Sequence, residues 1–127
     1  YGMVLGIAFQ LRDDYLGVFG DWKLLGKSTL DDMREGKNTI LFHKTLQLSK
    51  GKDSALLLKV WGNRKSGEKN LFEVRRIMER VGADKWSLEQ MKKLSDESKK
   101  TTGRIVADLK LRNILFQIAD FVISRDK

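Results

Sequence analysis

The sequence predicts an all-α protein that forms one domain. None of its 127 residues is proline, the residue that most strongly breaks helices. Short alternations of apolar and polar residues, which are typical of strands, are rare, whereas apolar residues return with the helical period. Apolar residues make up 41% of the chain and charged residues 33%, which is enough apolar content for a packed core.

The first predicted helix covers residues 2–20, and its apolar residues lie on all sides of a helical wheel. Such a helix belongs at the centre of a bundle. Residues 21–38 lose this periodicity and contain two glycines and eight charged residues. They predict a long ordered loop, and long loops in compact domains are usually functional.

Five further helices are predicted where the helical period returns. Their approximate ranges are 39–50, 54–61, 68–81, 87–109 and 111–122. We expect Asp53 or Ser54 to cap the second of these, and Gly82 to end the third. Asp84 or Ser87 starts the fourth. Residues 62–67 form a turn, and Trp61 before it is expected to be a packing residue.

Several classes of protein are excluded by residues that the chain lacks. It has no cysteine, which excludes a disulfide scaffold and a zinc site with thiolate ligands. Its one histidine, His43, excludes metal motifs with two histidines and disfavours a Ser-His-Asp triad. No apolar run reaches the roughly 18 residues that a transmembrane helix needs, and no secretion leader opens the chain. We therefore expect a soluble, cytoplasmic protein.

Two adjacent carboxylates, Asp13 and Asp14, lie in the middle of the most apolar predicted helix. Burying a carboxylate without a partner costs several kcal/mol, so a positive charge is expected nearby. Mg²⁺ suits such a site because it binds one or two carboxylates and fills its other positions with water and phosphate oxygens. Gln10, Asp13 and Gly17 share one helix face, and Gly17 leaves room for a ligand. The alternative is an ordinary network of ion pairs.

Basic residues follow these aspartates in the predicted loop. They are Lys27, Arg34 and Lys37, and Gly26 and Gly36 precede two of them directly. A lysine acts as a point charge for phosphate oxygens, and glycine lets the backbone approach a ligand closely. Carboxylates followed by such lysines predict a diphosphate site, with solvated surface lysines as the alternative.

The order of these residues carries a family resemblance. From Phe9 the sequence reads FQLRDDYLGVFGD, then GK from Gly26, then DMREGKNT from Asp32. This order resembles the second aspartate-rich region of trans-isoprenyl diphosphate synthases, the polyprenyl synthetases that make geranyl, farnesyl and geranylgeranyl diphosphates. The chain end from Ile118, IADFVISRDK, is also similar to the end of this family. The implied fold is the C-terminal portion of the isoprenoid synthase helical bundle.

The resemblance implies an enzyme, a Mg²⁺-dependent prenyltransferase of isoprenoid biosynthesis. It implies that Asp13 and Asp14 bind Mg²⁺ bridging the substrate diphosphate, and that Asp32 assists the metal shell through water. The reaction would ionise an allylic diphosphate, which the double bond of isopentenyl diphosphate then attacks before a proton is lost. Electrostatic stabilisation of the leaving diphosphate fits this chemistry.

Four residues are assigned to the substrate by the same resemblance. Lys27 and Lys37 would hold the leaving diphosphate and act as catalytic residues with the two aspartates. Phe9 and Gln10 would line the cavity near the reacting carbons.

Two departures from the family pattern qualify this prediction. The fifth position of the aspartate motif is Gly17, and no Asp-Asp-x-x-Asp sequence occurs in the chain. The second departure predicts that residues 1–127 are the C-terminal part of one polyprenyl synthetase domain, without the N-terminal half that carries the first aspartate-rich motif. We expect the chain alone to be inactive. We also expect a homodimer, or association through exposed apolar helices.

Two other functions remain open at this point. One is a non-catalytic partner or regulatory subunit of a heteromeric synthase, although such a subunit would be free to lose the aspartates and lysines that this chain retains. The other is a basic helical domain that binds nucleic acid, because the formal net charge is +8. The basic residues are spread among acidic ones rather than gathered on one face, and this distribution disfavours a nucleic-acid-binding domain.

Overall fold

A computed structural model of the protein describes residues 1–20 and 31–126. Every regular secondary-structure element within these ranges is a helix, which confirms the all-α prediction. The seven helices are α1 (Gly2–Phe19), α2 (Asp31–Glu35), α3 (Ile40–Leu48), α4 (Lys52–Val60), α5 (Glu68–Arg80), α6 (Ala83–Ile105) and α7 (Leu109–Ser124). None of these helices combines the length and the apolar character that crossing a bilayer requires.

The predicted loop over residues 21–38 is partly wrong, because Asp31–Glu35 is helical. This helix has only five residues, and Met33 is its one buried apolar side chain. So short a segment shows no apolar period in the sequence. Residues 21–30 of the predicted loop lie outside the described residues.

The predicted cap of α4 is also wrong. The helix begins at Lys52, and its N-cap is Gly51, which has a φ of 58° and makes no side-chain hydrogen bond. The left-handed conformation of Gly51 turns the chain directly into the helix. Asp53 instead lies in the first turn, where a negative charge is favourable, and pairs with Arg80 at 2.7 Å.

The boundary between α6 and α7 lies earlier than predicted. Helix α6 ends at Ile105 rather than near residue 109, and Asp108 caps α7 by accepting hydrogen bonds from the backbone N–H groups of Lys110 and Leu111. The guanidinium of Arg112 donates to the carbonyl oxygen of Val106 at 2.6 and 3.0 Å. These side chains satisfy backbone groups that a helix end leaves without partners.

The chain divides into two compact units. The first consists of Tyr1–Arg12 and Leu88–Arg125. Its buried cluster joins the start of α1 to α7 and consists of Leu5, Ala8, Ala119 and Val122. On α6, Ser95, Ser98 and Thr102 are buried, and Ser98 and Thr102 donate to backbone carbonyl oxygens of their own helix. The hydroxyls of Ser98 and Thr102 are therefore satisfied within α6, whereas Ser95 donates from Oγ to the Ala119 carbonyl oxygen of α7 at 3.4 Å.

The first unit also exposes large apolar side chains. Met3 on α1 is 82% exposed, and on α7 Phe121 is 63% exposed. The prediction that α1 is buried on all sides is therefore wrong for this chain, whereas the expectation of exposed apolar surface is confirmed. Such a surface is unusual because an exposed apolar side chain loses the burial that is the main favourable contribution to folding.

The second unit consists chiefly of Asp13–Ser87. Its core is one cluster of buried residues from the end of α1 and from α2 to the start of α6. The members are Val18, Met33, Leu41, Leu57, Val60, Leu71, Val74, Met78 and Ala83. Because Met33 is completely buried in this cluster, the short helix α2 is fixed to the rest of the unit.

Candidate diphosphate-binding site

Asp13 and Asp14 lie on different faces of α1. Asp14 is buried, with 5% of its surface exposed, on the helix face that also carries the buried residues Leu11 and Val18. Asp13 is half-buried and lies one position round the helix. Both carboxylates are therefore partly withdrawn from water, where a bound cation interacts more strongly than it would in the open solvent.

Gly17 lies one turn beyond Asp13 on the same face of α1 and contacts α2. A Cβ atom at position 17 would be only 2.3 Å from Oδ2 of Asp32. The space beside Gly17 that was predicted to hold a ligand is therefore occupied by the carboxylate of Asp32. This contact places Asp32 about 6 Å along the helix axis from Asp13, since four residues rise 1.5 Å each.

Lys37 pairs with the same carboxylate. Its Nζ is 3.7 Å from Oδ2 of Asp32, and the Asp32 side chain is largely buried. The pairing results from the way that α2 ends. The Lys37 N–H donates to the Asp32 carbonyl oxygen at 3.2 Å, and the Gly36 N–H donates to that of Met33 at 3.1 Å.

These two hydrogen bonds form a Schellman motif, in which a left-handed residue ends the helix and turns the chain back over its last turn. Gly36 is that residue, with a φ of 68°. The motif brings the residue after the glycine next to the helical residue five positions earlier. The five-residue separation of Asp32 and Lys37 in the sequence is therefore the separation that this helix end requires.

The second unit thus brings together two of the predicted site residues, Asp32 and Lys37, and sets them against α1 one turn beyond Asp13. Asp13, Asp32 and Lys37 follow one another from α1 to the end of α2, with Gly17 as the point of contact. The Asp32 carboxylate thus meets both α1 and the Lys37 ammonium, a group suited to a phosphate oxygen. Lys27, the other predicted diphosphate lysine, lies outside the described residues.

The carboxylates fit Mg²⁺ in their chemistry. Residues 1–20 and 31–126 contain no group of three His, Cys, Asp or Glu side chains arranged to hold a metal ion. Mg²⁺ does not need three, because it retains water and binds phosphate oxygens beside one or two carboxylates. Asp13 and Asp14 are two carboxylates of this kind, and Asp32 pairs with Lys37.

Phe9 and Gln10, the predicted cavity residues, belong to the first unit, and both are exposed. The guanidinium of Arg125 lies over the Phe9 ring, 4.1 Å from its centroid. Arg12 in turn donates from Nε to the Arg125 carbonyl oxygen at 2.9 Å. Arg125 was not among the predicted site residues, although it lies in the chain end whose sequence resembles that of the family.

The contact between Gly17 and Asp32 leads to a stability prediction. We expect Gly6→Ala, at an α1 position with nothing within 4 Å of the new Cβ, to raise the free energy of unfolding by about 0.5–1 kcal/mol. Gly17→Ala should lose this gain, because its Cβ displaces the Asp32 carboxylate. Urea unfolding of both variants measures the difference, and an equal gain would contradict the contact.

Comparison with known proteins supports the resemblance. Residues 1–78 match the sequence model of the family described as Polyprenyl synthetase. The chain belongs to this family.

One relative is the geranylgeranyl diphosphate synthase of Saccharolobus solfataricus, to which the chain is 36% identical over 128 residues. The aligned region includes 100% of this chain and 38% of that protein. The chain thus spans well under half of this relative's length.

Solved structures confirm the fold. The geranylgeranyl pyrophosphate synthase of Corynebacterium glutamicum, complexed with isoprenyl diphosphate and magnesium, matches with a TM-score of 0.90 and 29% identity, over 98% of this chain and 36% of that one. The Caulobacter crescentus polyprenyl synthase, complexed with calcium and isoprenyl diphosphate, matches with a TM-score of 0.87 and 31% identity, over 100% and 38%. The helices are therefore part of the isoprenoid synthase fold.

Proposed function

We propose that this chain provides the second aspartate-rich region of a Mg²⁺-dependent trans-prenyl diphosphate synthase and binds the diphosphate of the allylic substrate. The succession of Asp13, Asp32 and Lys37 around Gly17 is the observation that carries the proposal. It sets the pair of Asp32 and Lys37 against α1 at Gly17, one helical turn beyond the carboxylate of Asp13. The solved relatives with bound isoprenyl diphosphate and a divalent cation support it.

Each residue has a defined part in the proposed reaction. Asp13 and Asp14 hold Mg²⁺, which when bound stabilises the negative charge of the leaving diphosphate. Lys37, together with Lys27, contacts the diphosphate oxygens and stabilises the same charge as the carbon–oxygen bond breaks. Asp32 holds the Lys37 ammonium in place before the substrate arrives, so less reorganisation is needed during the reaction.

The carbon chemistry of the proposal follows from charge balance. Loss of diphosphate leaves an allylic cation, and the double bond of isopentenyl diphosphate attacks it to form the new carbon–carbon bond. Loss of a proton then restores a neutral carbon skeleton. The family resemblance assigns Phe9 to the cavity near the reacting carbons, a role that suits an aromatic ring because such rings attract positive charge. The homodimer implied by the resemblance stays a prediction.

The test of this proposal separates binding from turnover. We expect the 127-residue chain to bind geranyl diphosphate only in the presence of Mg²⁺, as measured by isothermal titration calorimetry. We expect no condensation of geranyl and isopentenyl diphosphates, because the chain contains no Asp-Asp-x-x-Asp motif. Absence of Mg²⁺-dependent binding would refute the proposed site, and turnover by the chain alone would refute the claim that the site is incomplete.

A chimera supplies the positive control. In it, this chain replaces the matching portion of the Saccharolobus solfataricus enzyme, to which it is 36% identical. We expect the chimera to condense the two substrates, and to lose activity when Lys37 is replaced by alanine. A folded chimera that is active with Lys37→Ala at the unaltered rate would remove Lys37 from the mechanism.

A further inference from the structure

The segment that carries Lys37 is held by a turn that the predicted site does not include. This turn, residues 61–66 between α4 and α5, is named the α4–α5 turn below. The N–H of Gly62 donates to the Met33 carbonyl oxygen at 2.8 Å. The indole Nε1–H of Trp61 donates to the Lys37 carbonyl oxygen at 3.1 Å. These bonds reach both ends of the Schellman motif that closes α2.

Two glycines allow this approach. A Cβ at Gly36 would lie 2.8 Å from the Cα of Gly62, which is closer than real Cβ contacts. Both residues have a positive φ, 68° at Gly36 and 79° at Gly62. A third hydrogen bond, from Arg34 Nε to the Ser66 carbonyl oxygen at 3.3 Å, joins the other end of the turn to α2. The two segments are therefore in backbone contact and not merely neighbours.

The indole that contacts Lys37 is itself fixed. Trp61 stacks on Phe42 of α3, with ring centroids 4.7 Å apart and planes inclined by 19°. Ser66, which is buried, donates from Oγ to the Val60 carbonyl oxygen at 3.2 Å, and its N–H donates to that of Asn63 at 3.0 Å. The α4–α5 turn is thus held by its own hydrogen bonds and by contacts with two helices. The indole N–H of Trp61 therefore has a defined position.

We propose that Trp61 is a positioning residue for Lys37 in the diphosphate site, an inference that rests on the proposed function. The lysine side chain is flexible and its ammonium group is exposed, so its position depends on where its backbone is held. The backbone carbonyl is fixed by Trp61, and the ammonium group is paired with Asp32. Trp61 acts through the Lys37 main chain.

The test is a double-mutant cycle on the binding of inorganic diphosphate in the presence of Mg²⁺. Trp61→Phe keeps the aromatic ring that stacks on Phe42 and removes the N–H donor. Loss of one such hydrogen bond should weaken diphosphate binding about three- to ten-fold. Trp86→Phe is the matched control, since the Lys44 ammonium group lies over the Trp86 ring, 4.9 Å from its centroid. We expect it to leave binding unchanged.

The second arm of the cycle distinguishes positioning from a structural role. Lys37→Ala removes the ammonium group but retains the carbonyl oxygen that accepts the Trp61 bond. In that background, Trp61→Phe should cause no further loss of binding, because the group that it positions is gone. An equal loss in both backgrounds would show a structural role and overturn the inference.

The outcomes also separate this inference from the proposed function. Failure of the unaltered chain to bind diphosphate with Mg²⁺, or unchanged binding by Lys37→Ala, would refute the proposed role of Lys37 and with it the inference. Weaker binding by Lys37→Ala beside unchanged binding by Trp61→Phe would refute the inference alone. Thermal unfolding of each variant shows whether it is folded at the temperature of the titration.

Discussion

Replacement of Asp13 by asparagine is expected to weaken Mg²⁺-dependent binding of diphosphate by about 100-fold, and Asp14→Asn by a similar factor. Each substitution keeps the size of the side chain and removes the negative charge that holds the cation. A bound metal contributes several kcal/mol to interactions with phosphate oxygens, which corresponds to a loss of this order. Isothermal titration calorimetry with inorganic diphosphate, at a fixed Mg²⁺ concentration, measures the effect.

The matched control for these variants is Asp120→Asn. Asp120 is an exposed carboxylate on α7 that pairs with Lys99. Its replacement removes the same charge from the protein without touching the second unit, so diphosphate binding should not change. A loss common to all three variants would point to net charge as the cause and would contradict the assignment of Asp13 and Asp14 as metal ligands.

Gly36→Ala is expected to lower the free energy of unfolding by about 3 kcal/mol or more. One part of this loss is the cost of a left-handed backbone for alanine, since φ at Gly36 is 68°. The other part is steric, because the new Cβ would lie 2.8 Å from the Cα of Gly62 and neither backbone segment can move without breaking hydrogen bonds. Urea-induced unfolding, followed by circular dichroism, measures the loss.

Gly82→Ala isolates the cost of the left-handed backbone. Gly82 also has a positive φ, 81°, but nothing lies within 4 Å of a Cβ built on it. We expect this variant to lose only about 1 kcal/mol. The difference between the two variants is the contribution of the close approach between α2 and the α4–α5 turn. If both variants lose the same amount, that approach does not constrain the protein.

The helices that the sequence predicted well are those with a sustained apolar period. Helix α5 shows this best: the predicted range of 68–81 compares with Glu68–Arg80, and its buried residues recur with the helical period at Leu71, Val74, Ile77 and Met78. Helix α2 was missed because its order depends on Met33 entering a core formed by distant residues. The boundary of α6 was missed because the apolar period continues past the capping residue Asp108.

The candidate site was predictable only in its local part. The pair Asp13 and Asp14 is visible in the sequence, because two adjacent carboxylates in an apolar helix need an explanation. The contact between Gly17 and Asp32 is not visible, because it depends on how α2 packs against α1. The bond from Trp61 to Lys37 joins residues 24 positions apart, and no local pattern marks it.

The Schellman motif at the end of α2 has a consequence for how this segment tolerates change. It makes the contact between Asp32 and Lys37 a matter of chain length, because the turn returns to a residue five positions back as long as glycine occupies position 36. Glu35 is exposed and meets no such requirement, so its identity is free to vary. A single inserted or deleted residue in this interval would instead pair the lysine with the wrong turn of the helix. The segment is therefore permissive towards substitution at Glu35, but not at Met33 or Gly36, and it is intolerant of any shift in register.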